Sequence, residues 1–286
     1  MRFSSILNFA LTGLLLMASL MTFAAPFNEL NEQKSSSITF DPSSTAKRSF
    51  LFVGARIENF DYNEPVMTSK GLLYGVGGYF QYHLQNESLI QVNFELLTGR
   101  TDYTGSTWEQ EPVTASNQFS VYEVSSEYQF HNLYQQNATL VPLVGGGVRG
   151  TFQNKESAGD YRREYYYLYV IGGLQLEIPS PVDHHSSIIF RAQKNILVAG
   201  ANNTHLSDAR SDLPDVLLKF TSGSAYRVEI QYNHQLADLH QVQFALNYTS
   251  WSIQQSEYVE IGEGRPPVYE PENQTYLMGL NLSYLF

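Results

Sequence analysis

From Ser49 onward, apolar and polar residues alternate along the chain. The stretch "LFVGARIENF" places Leu51, Val53, Ala55 and Ile57 on one face and Gly54, Arg56 and Glu58 on the other. Successive side chains of a strand point to opposite faces, so a period of two predicts a β-strand. The same grammar returns in "LLYGVGGYFQYHL", "LIQVNFELLTG", "VYEVSSEYQFH", "TLVPLVGGGVRGTF", "YYYLYVIGGLQLEI", "SIIFRAQ", "AYRVEIQYNHQL", "VQFALNYTSW" and "TYLMGLNLSYLF". "SIIFRAQ" is the weakest of these segments. In the last, Tyr276, Met278, Leu280, Leu282, Tyr284 and Phe286 form an apolar face against Gly279, Asn281 and Ser283.

The connectors alternate in length. Short ones fall at 85–88, 132–138, 179–185 and 237–238, and longer polar ones at 61–69, 102–118, 153–162, 195–220 and 256–273. Short turns on one side, long loops on the other and an even strand number describe a transmembrane β-barrel. A bilayer offers no hydrogen bonds, so only a closed sheet leaves no backbone group unsatisfied. The expected fold is all-β: a transmembrane antiparallel up-and-down β-barrel of ten strands, with eight or twelve as alternatives. Both ends of the barrel then lie on the short-turn side.

A soluble sandwich or lipocalin-like barrel produces the same alternation with the faces reversed, so other features must decide. Aromatic residues cluster near strand ends, as interfacial girdles do: Phe60, Tyr62, Tyr82, Tyr128, Phe130, Tyr165, Tyr232, Tyr248, Trp251 and Tyr284. The polar faces hold Gly, Gln, Asn and mixed charges in place of a soluble surface rich in Lys and Glu. The first residues complete the case. Met1-Arg2, an apolar run from Ile6 to Met21 and the small residues Thr22 and Ala24 read as a secretory signal peptide over 1–24. Residues 25–48 are Ser/Thr-rich and polar, a flexible periplasmic lead-in, and 49–286 form the barrel.

The chain has no cysteine, so neither a lipid anchor nor disulfides are expected, and stability must come from burial and hydrogen bonding. Removing Arg2 with the leader takes the formal charge from −11 to −12. That acidity argues against nucleic acid as a partner.

The last strand, with its alternate apolar residues ending on Phe286, resembles the C-terminal insertion signal of bacterial outer-membrane β-barrel proteins. "FVGARI" and "GVGGYFQY" are similar to strands of small OmpA-type or opacity-type barrels. The resemblance implies a Gram-negative outer membrane, with its lipids and lipopolysaccharide as surroundings. It also implies the barrel assembly machinery as a partner during biogenesis, with Tyr276, Met278, Leu280, Leu282, Tyr284 and Phe286 as the insertion signal.

Polar parity collects the candidate chemistry. Arg56, Glu58, Glu95, Glu123, Glu127, Arg149, Arg191, Arg227 and Glu229 all fall on the lumen side. A simple turn over 132–138 sets Arg149 diagonal to Glu123. Such charges form either a salt-bridged core that plugs the lumen or the lining of a narrow, gated pore, since an interior of this strand number is barely wider than one filled by side chains. His83, His131, His184, His185, His234 and His240 fall on the periplasmic side and only His205 lies in an outer loop. Omptin-like proteases need a His beside acidic residues at the outer rim, and small-barrel lipid A deacylases need a lipid-facing His and Ser; neither set is legible here. No cofactor or metal spacing occurs, and "VGGGVRG" sits inside a strand where glycine makes room for a bulky neighbour. The outer stretches "NNTHLSDARSDLPD" and "SEYVEIGEGRPPVYEPE" are candidate recognition loops. The expected function is therefore a non-enzymatic barrel, structural or porin-like, with a largely plugged lumen. The alternative is an adhesin or ligand binder acting through long acidic loops, and a surface protease or lipid A-modifying enzyme ranks behind both.

Overall fold

The computed structural model describes residues 49–84, 88–106, 112–130, 138–154, 161–180, 185–237 and 240–285. The segments expected as signal peptide and lead-in, together with His131, His184 and Phe286, lie outside them. The strands are β1 (Ser49–Glu64), β2 (Met67–His83), β3 (Leu89–Ser106), β4 (Pro112–Gln129), β5 (Thr139–Asn154), β6 (Arg163–Pro179), β7 (Ser186–Thr204), β8 (Val216–Phe220), β9 (Gly223–Ala237), β10 (His240–Ile253) and β11 (Asn273–Leu285).

Apart from β8, each strand pairs antiparallel with its successor in the ring, and β1 pairs with β11 from Phe52↔Leu285 to Asn63↔Gln274. Because β6 pairs with β7 and β7 with β9, the ring closes through ten strands. β8 stands outside the count. It pairs only with the outer end of β7, from Gly200↔Phe220 to Thr204↔Val216, above the point where the β7–β9 ladder stops at Ile196↔Ser224. A closed sheet leaves no edge, so every strand within the bilayer satisfies its backbone on both sides.

Alternation assigns the two faces. Ile57, Leu72, Val76, Leu96, Val170, Leu246 and Met278 are exposed on the outside, an apolar belt of the kind a lipid bilayer covers. Above that belt the outward positions turn polar: Asn59, Asp61 and Asn63 on β1, Thr68 and Lys70 on β2, Arg100 and Asp102 on β3. The strands thus continue beyond the membrane into the outer space.

Three expectations are corrected by this extension. The connector over 61–69 is no long loop: β1 runs to Glu64, β2 starts at Met67, and Pro65-Val66 alone make the turn. "SIIFRAQ" is the start of the longest strand, β7, whose 19 residues reach Thr204, so the loop predicted from residue 195 begins only after Thr204. Outside the bilayer a strand needs no apolar face, and the alternation that marks it fades although the ladder continues. Finally, Phe60, Tyr62, Tyr165 and Trp251 are buried inside the barrel and belong to no interfacial girdle. Tyr82, Phe130, Tyr232 and Tyr248 do face outward.

β7 carries a bulge near its outer end. Leu168 pairs with Ala199 and Tyr169 with Leu197, so Val198 has no partner and bulges outward. An extra residue inverts the side-chain parity beyond it. Below it Gln193, Asn195 and Leu197 are buried, and above it Asn202 and Thr204 are.

Candidate functional site

The lumen is filled in tiers. Nearest the chain ends lies an amide-rich layer. Gln129 Nε2 donates to Gln91 Oε1 at 3.1 Å, Arg191 Nη2 to Gln175 Oε1 at 2.8 Å, and Gln193 Nε2 to Glu127 Oε1 at 2.8 Å. Arg191 also pairs with Glu127 at 3.3 Å. Because β7 and β4 are three strands apart on the ring, these contacts cross the lumen.

The next tier is ionic. Arg56 pairs with Glu58 at 2.7 Å and Glu95 at 2.6 Å, and Arg149 with Glu123 at 2.7 Å. Arg227 reaches across from β9 to Glu123 on β4 at 3.6 Å and lies 3.9 Å from Glu229. Asn247 Nδ2 donates to Glu58 Oε1 at 3.0 Å and the Tyr169 hydroxyl to Glu123 Oε1 at 2.7 Å. Glu229 in turn accepts a hydrogen bond from Gln231 Nε2. All nine charges singled out from the sequence therefore lie in the interior, paired in three sets: Arg56 with Glu58 and Glu95, Glu123 and Glu229 with Arg149 and Arg227, and Arg191 with Glu127. Glu123 and Arg149 are direct partners in the β4–β5 ladder, where the simple turn had set them diagonally.

Glycine provides the space. A Cβ on Gly147 would sit 2.6 Å from the Tyr169 hydroxyl, and one on Gly77 2.5 Å from Arg56 Cδ. The small residues of the polar faces are therefore sockets for the long side chains that cross the lumen.

Above the charges sits an aromatic tier. Phe60 packs tilted against Phe119 at 4.7 Å, with Leu73, Leu97, Val121 and Leu277 around them, and Tyr167 stacks on Trp251 at 5.7 Å. The cavities left in the ionic and aromatic tiers measure about 40 Å³ and 20 Å³. A single water needs roughly 10–15 Å³, so each holds only a few waters at most.

The outer mouth is closed by a carboxylate. Glu270, in the loop between β10 and β11, is 4% exposed. Its Oε1 accepts from the Tyr165 hydroxyl at 2.7 Å and the Tyr62 hydroxyl at 3.2 Å, and its Oε2 accepts from Asn202 Nδ2 at 3.0 Å. Arg163 Nη1 lies 3.7 Å from Glu270 and 3.4 Å from Glu64. The Tyr62 hydroxyl also lies 2.6 Å from Glu64 Oε1, so its one proton is shared between the Glu64 and Glu270 carboxylates. β1 and β6 are opposite walls of the ten-strand ring, and the Tyr62 and Tyr165 hydroxyls meet at 3.4 Å. These groups lie above the apolar belt, outside the bilayer. There burial, and next the neighbouring Glu270 carboxylate, raise the Glu64 carboxyl to about 7.

Two outer loops fold together over this mouth. Leu206, Leu213, Val216, Leu218 and Ile261 form a small core of their own, with Val259 and Val268 packed against it. Arg162 clamps Asp208 at 2.7 Å, and Arg265 joins the last loop to Asp212 at 2.9 Å. The Arg162 hydrogen bond holds the Asp208 carboxyl below its ordinary value. Tyr258 and Tyr269 stand exposed on this cap with rings 4.8 Å apart, beside the exposed Glu260 and Glu263.

His205 occupies a position that the sequence did not disclose. Its Nδ1 lies 3.0 Å from Asp215 Oδ2, and its Nε2 lies 3.3 Å from Glu164 Oε1 and 3.1 Å from Asn203 Nδ2. A histidine between carboxylates at the outer rim does exist, and the ring is buried. Glu164 and Asp215 come from β6 and the β7–β8 connection, and the β6–β7 ladder, which runs to Arg163↔Thr204, brings Glu164 beside the imidazole. His83, His185, His234 and His240 lie at the opposite, chain-end side.

No family model matches the chain, and no curated protein matches it. Among solved structures, the outer membrane protease OmpT from Escherichia coli is similar over 83% of this chain and 96% of its own, with 11% identity and a TM-score of 0.52. The translocator domain of the autotransporter NalP from Neisseria meningitidis matches over 84% and 89% at 8% identity and a TM-score of 0.42. OprG from Pseudomonas aeruginosa matches over 83% and 94% at 11% identity and a TM-score of 0.33. The first likeness is one of fold alone. Together with the closed ten-strand ring, the apolar belt and the polar interior, it makes this chain a β-barrel of the Gram-negative outer membrane.

Proposed function

We propose that this protein is a non-conducting, non-enzymatic surface barrel whose work is recognition by its ordered outer cap. The observation that carries this reading is the crossing of the lumen at successive levels, by Arg191–Glu127, Arg227–Glu123 and Tyr62–Tyr165. A conduit would need all of these to part together. The cap, in contrast, has its own apolar core and ion pairs, which hold exposed tyrosines and carboxylates in fixed positions. Rigid aromatic side chains on a pre-organised surface cost little entropy on binding. Outer-membrane lipids and lipopolysaccharide surround the belt, and the assembly machinery acts on the last strand.

A hydrolytic reading rests on His205 beside Asp215 and Glu164. Burial of the ring argues against it, because a catalytic base must reach the proton that it takes.

Planar-bilayer recording with the purified protein tests the proposal. Absence of discrete conductance steps, together with loss of cell-surface binding when 256–269 is replaced by a short turn, is the expected result. Reproducible single-channel steps that change on Arg227→Ala would establish a pore instead.

A further inference from the structure

We propose that the barrel mouth is a carboxylate-binding site, held in cis by the chain's own Glu270, and that the last outer loop is consequently a displaceable cap. The donors come from the wall and the occupant from the loop. Tyr62 stands on β1, Arg163 and Tyr165 on β6, and Asn202 on β7, so three strands fix the cradle whether or not the loop is docked. Both oxygens of the occupant are addressed separately: Oε1 by the tyrosines and Oε2 by the Asn202 amide. This is the geometry of carboxylate recognition.

The cradle is more than an accident of loop packing. Arg163 is pre-oriented from outside the site, with Nη2 donating to the Tyr161 hydroxyl at 2.6 Å and the guanidinium 4.9 Å over that ring. Tyr165 receives Arg163 Nη1 at 3.3 Å, which turns its own hydroxyl proton toward Glu270. Asn202 is fully buried, yet its Oδ1 has no hydrogen-bond partner. Its amide is committed to the carboxylate at the cost of its other half. Around Glu270 itself the loop adds two bonds, Ser256 Oγ accepting from the Glu270 amide at 2.8 Å and the Ser256 amide donating to the Glu270 carbonyl at 3.0 Å, while Ile261 and Arg265 tie the rest of the loop to the other outer loop. The ligand class that fits is a small carboxylate able to replace the Glu270 side chain.

Chemical rescue tests this. The full mature protein is digested in detergent with a glutamate-specific protease, whose exposed targets Glu260 and Glu263 lie in the loop. Glu270→Ala should speed cleavage there about tenfold or more, the loss of hydrogen bonds to a charged group, while the heat-modifiable gel shift reports an intact barrel. Millimolar acetate should restore protection to that variant, and chloride at equal ionic strength should not. Adding Asn202→Ala and Tyr165→Phe should abolish the rescue. In Glu270→Gln the amide fills the cradle, so acetate should leave its cleavage rate unchanged. A Glu270→Ala loop as protected as the wild type, an absence of acetate rescue, or equal rescue of Glu270→Gln would overturn the proposal.

Discussion

Glu123 on β4 and Arg149 on β5 face each other across one rung of the ladder with Oε2 and Nη1 2.7 Å apart. Glu123 is also the hub of the ionic tier, since it accepts the Tyr169 hydroxyl and meets Arg227 from across the lumen. Removing one member of a buried ion pair leaves the other charge uncompensated, at about 3–5 kcal/mol. Glu123→Gln, which strands Arg149 and leaves Arg227 with Glu229 alone, should lie in that range. Urea unfolding in lipid vesicles would measure it, and a loss below about 1 kcal/mol would show that the tier is solvated.

The outer face answers to lipid. Leu246 is exposed midway along β10, within the apolar belt. Leu246→Arg should destabilise the barrel by about 2–4 kcal/mol, the cost of a cation on the lipid face at the midplane. The same vesicle unfolding assay reads the effect. A neutral result would mean that this face is covered by protein or water.

Protonation should set the hold on the last loop. Glu64 shares Arg163 with Glu270, and Tyr62, Tyr165 and Tyr161 complete the polar surroundings. Its carboxyl is raised in the docked state to about 7 from an ordinary 4.5. A raised acid favours the docked state at low pH and withdraws that favour as pH climbs through the raised value. Hydrogen exchange at the Ser256 and Val268 amides should therefore accelerate, beyond its intrinsic pH dependence, between about pH 5 and 8. Glu64→Gln should flatten that excess. Asp208 works in the opposite sense: its carboxyl is depressed by Arg162, so the part of the cap that it ties stays intact above the ordinary aspartate value and loosens only in stronger acid.

Assembly offers a further check. In the sequence Phe286 continues the alternate apolar series of Tyr276 to Tyr284, and deletion of that one residue should lower the amount of barrel reaching the outer membrane. Unfolding stability of the protein refolded in vitro should stay near the wild-type value. A large loss of stability with normal delivery would give Phe286 a packing role in place of a signal.

Much of this protein is legible in its alternation. Ten amphipathic segments, their inward Arg and Glu residues and the apolar outward face follow from a period of two, because a bilayer and a closed sheet leave each strand residue one of two environments. Outside the bilayer that constraint lapses. The polar reach of β1 to Glu64 and of β7 to Thr204 consequently reads as loop, and the inward turn of Phe60, Tyr62, Tyr165 and Trp251 reads as girdle. Which inward residues meet was a tertiary decision. Tyr62 and Tyr165 are neighbours only because the ring closes at ten strands and puts β1 opposite β6. Asn202 reaches Glu270 because the unpaired Val198 inverts the parity of β7, and His205 meets Glu164 because β6 and the end of β7 rise together above the membrane. Local pattern determines the faces of a strand; closure, bulge and loop docking determine which faces touch, since those depend on contacts between residues far apart in the chain.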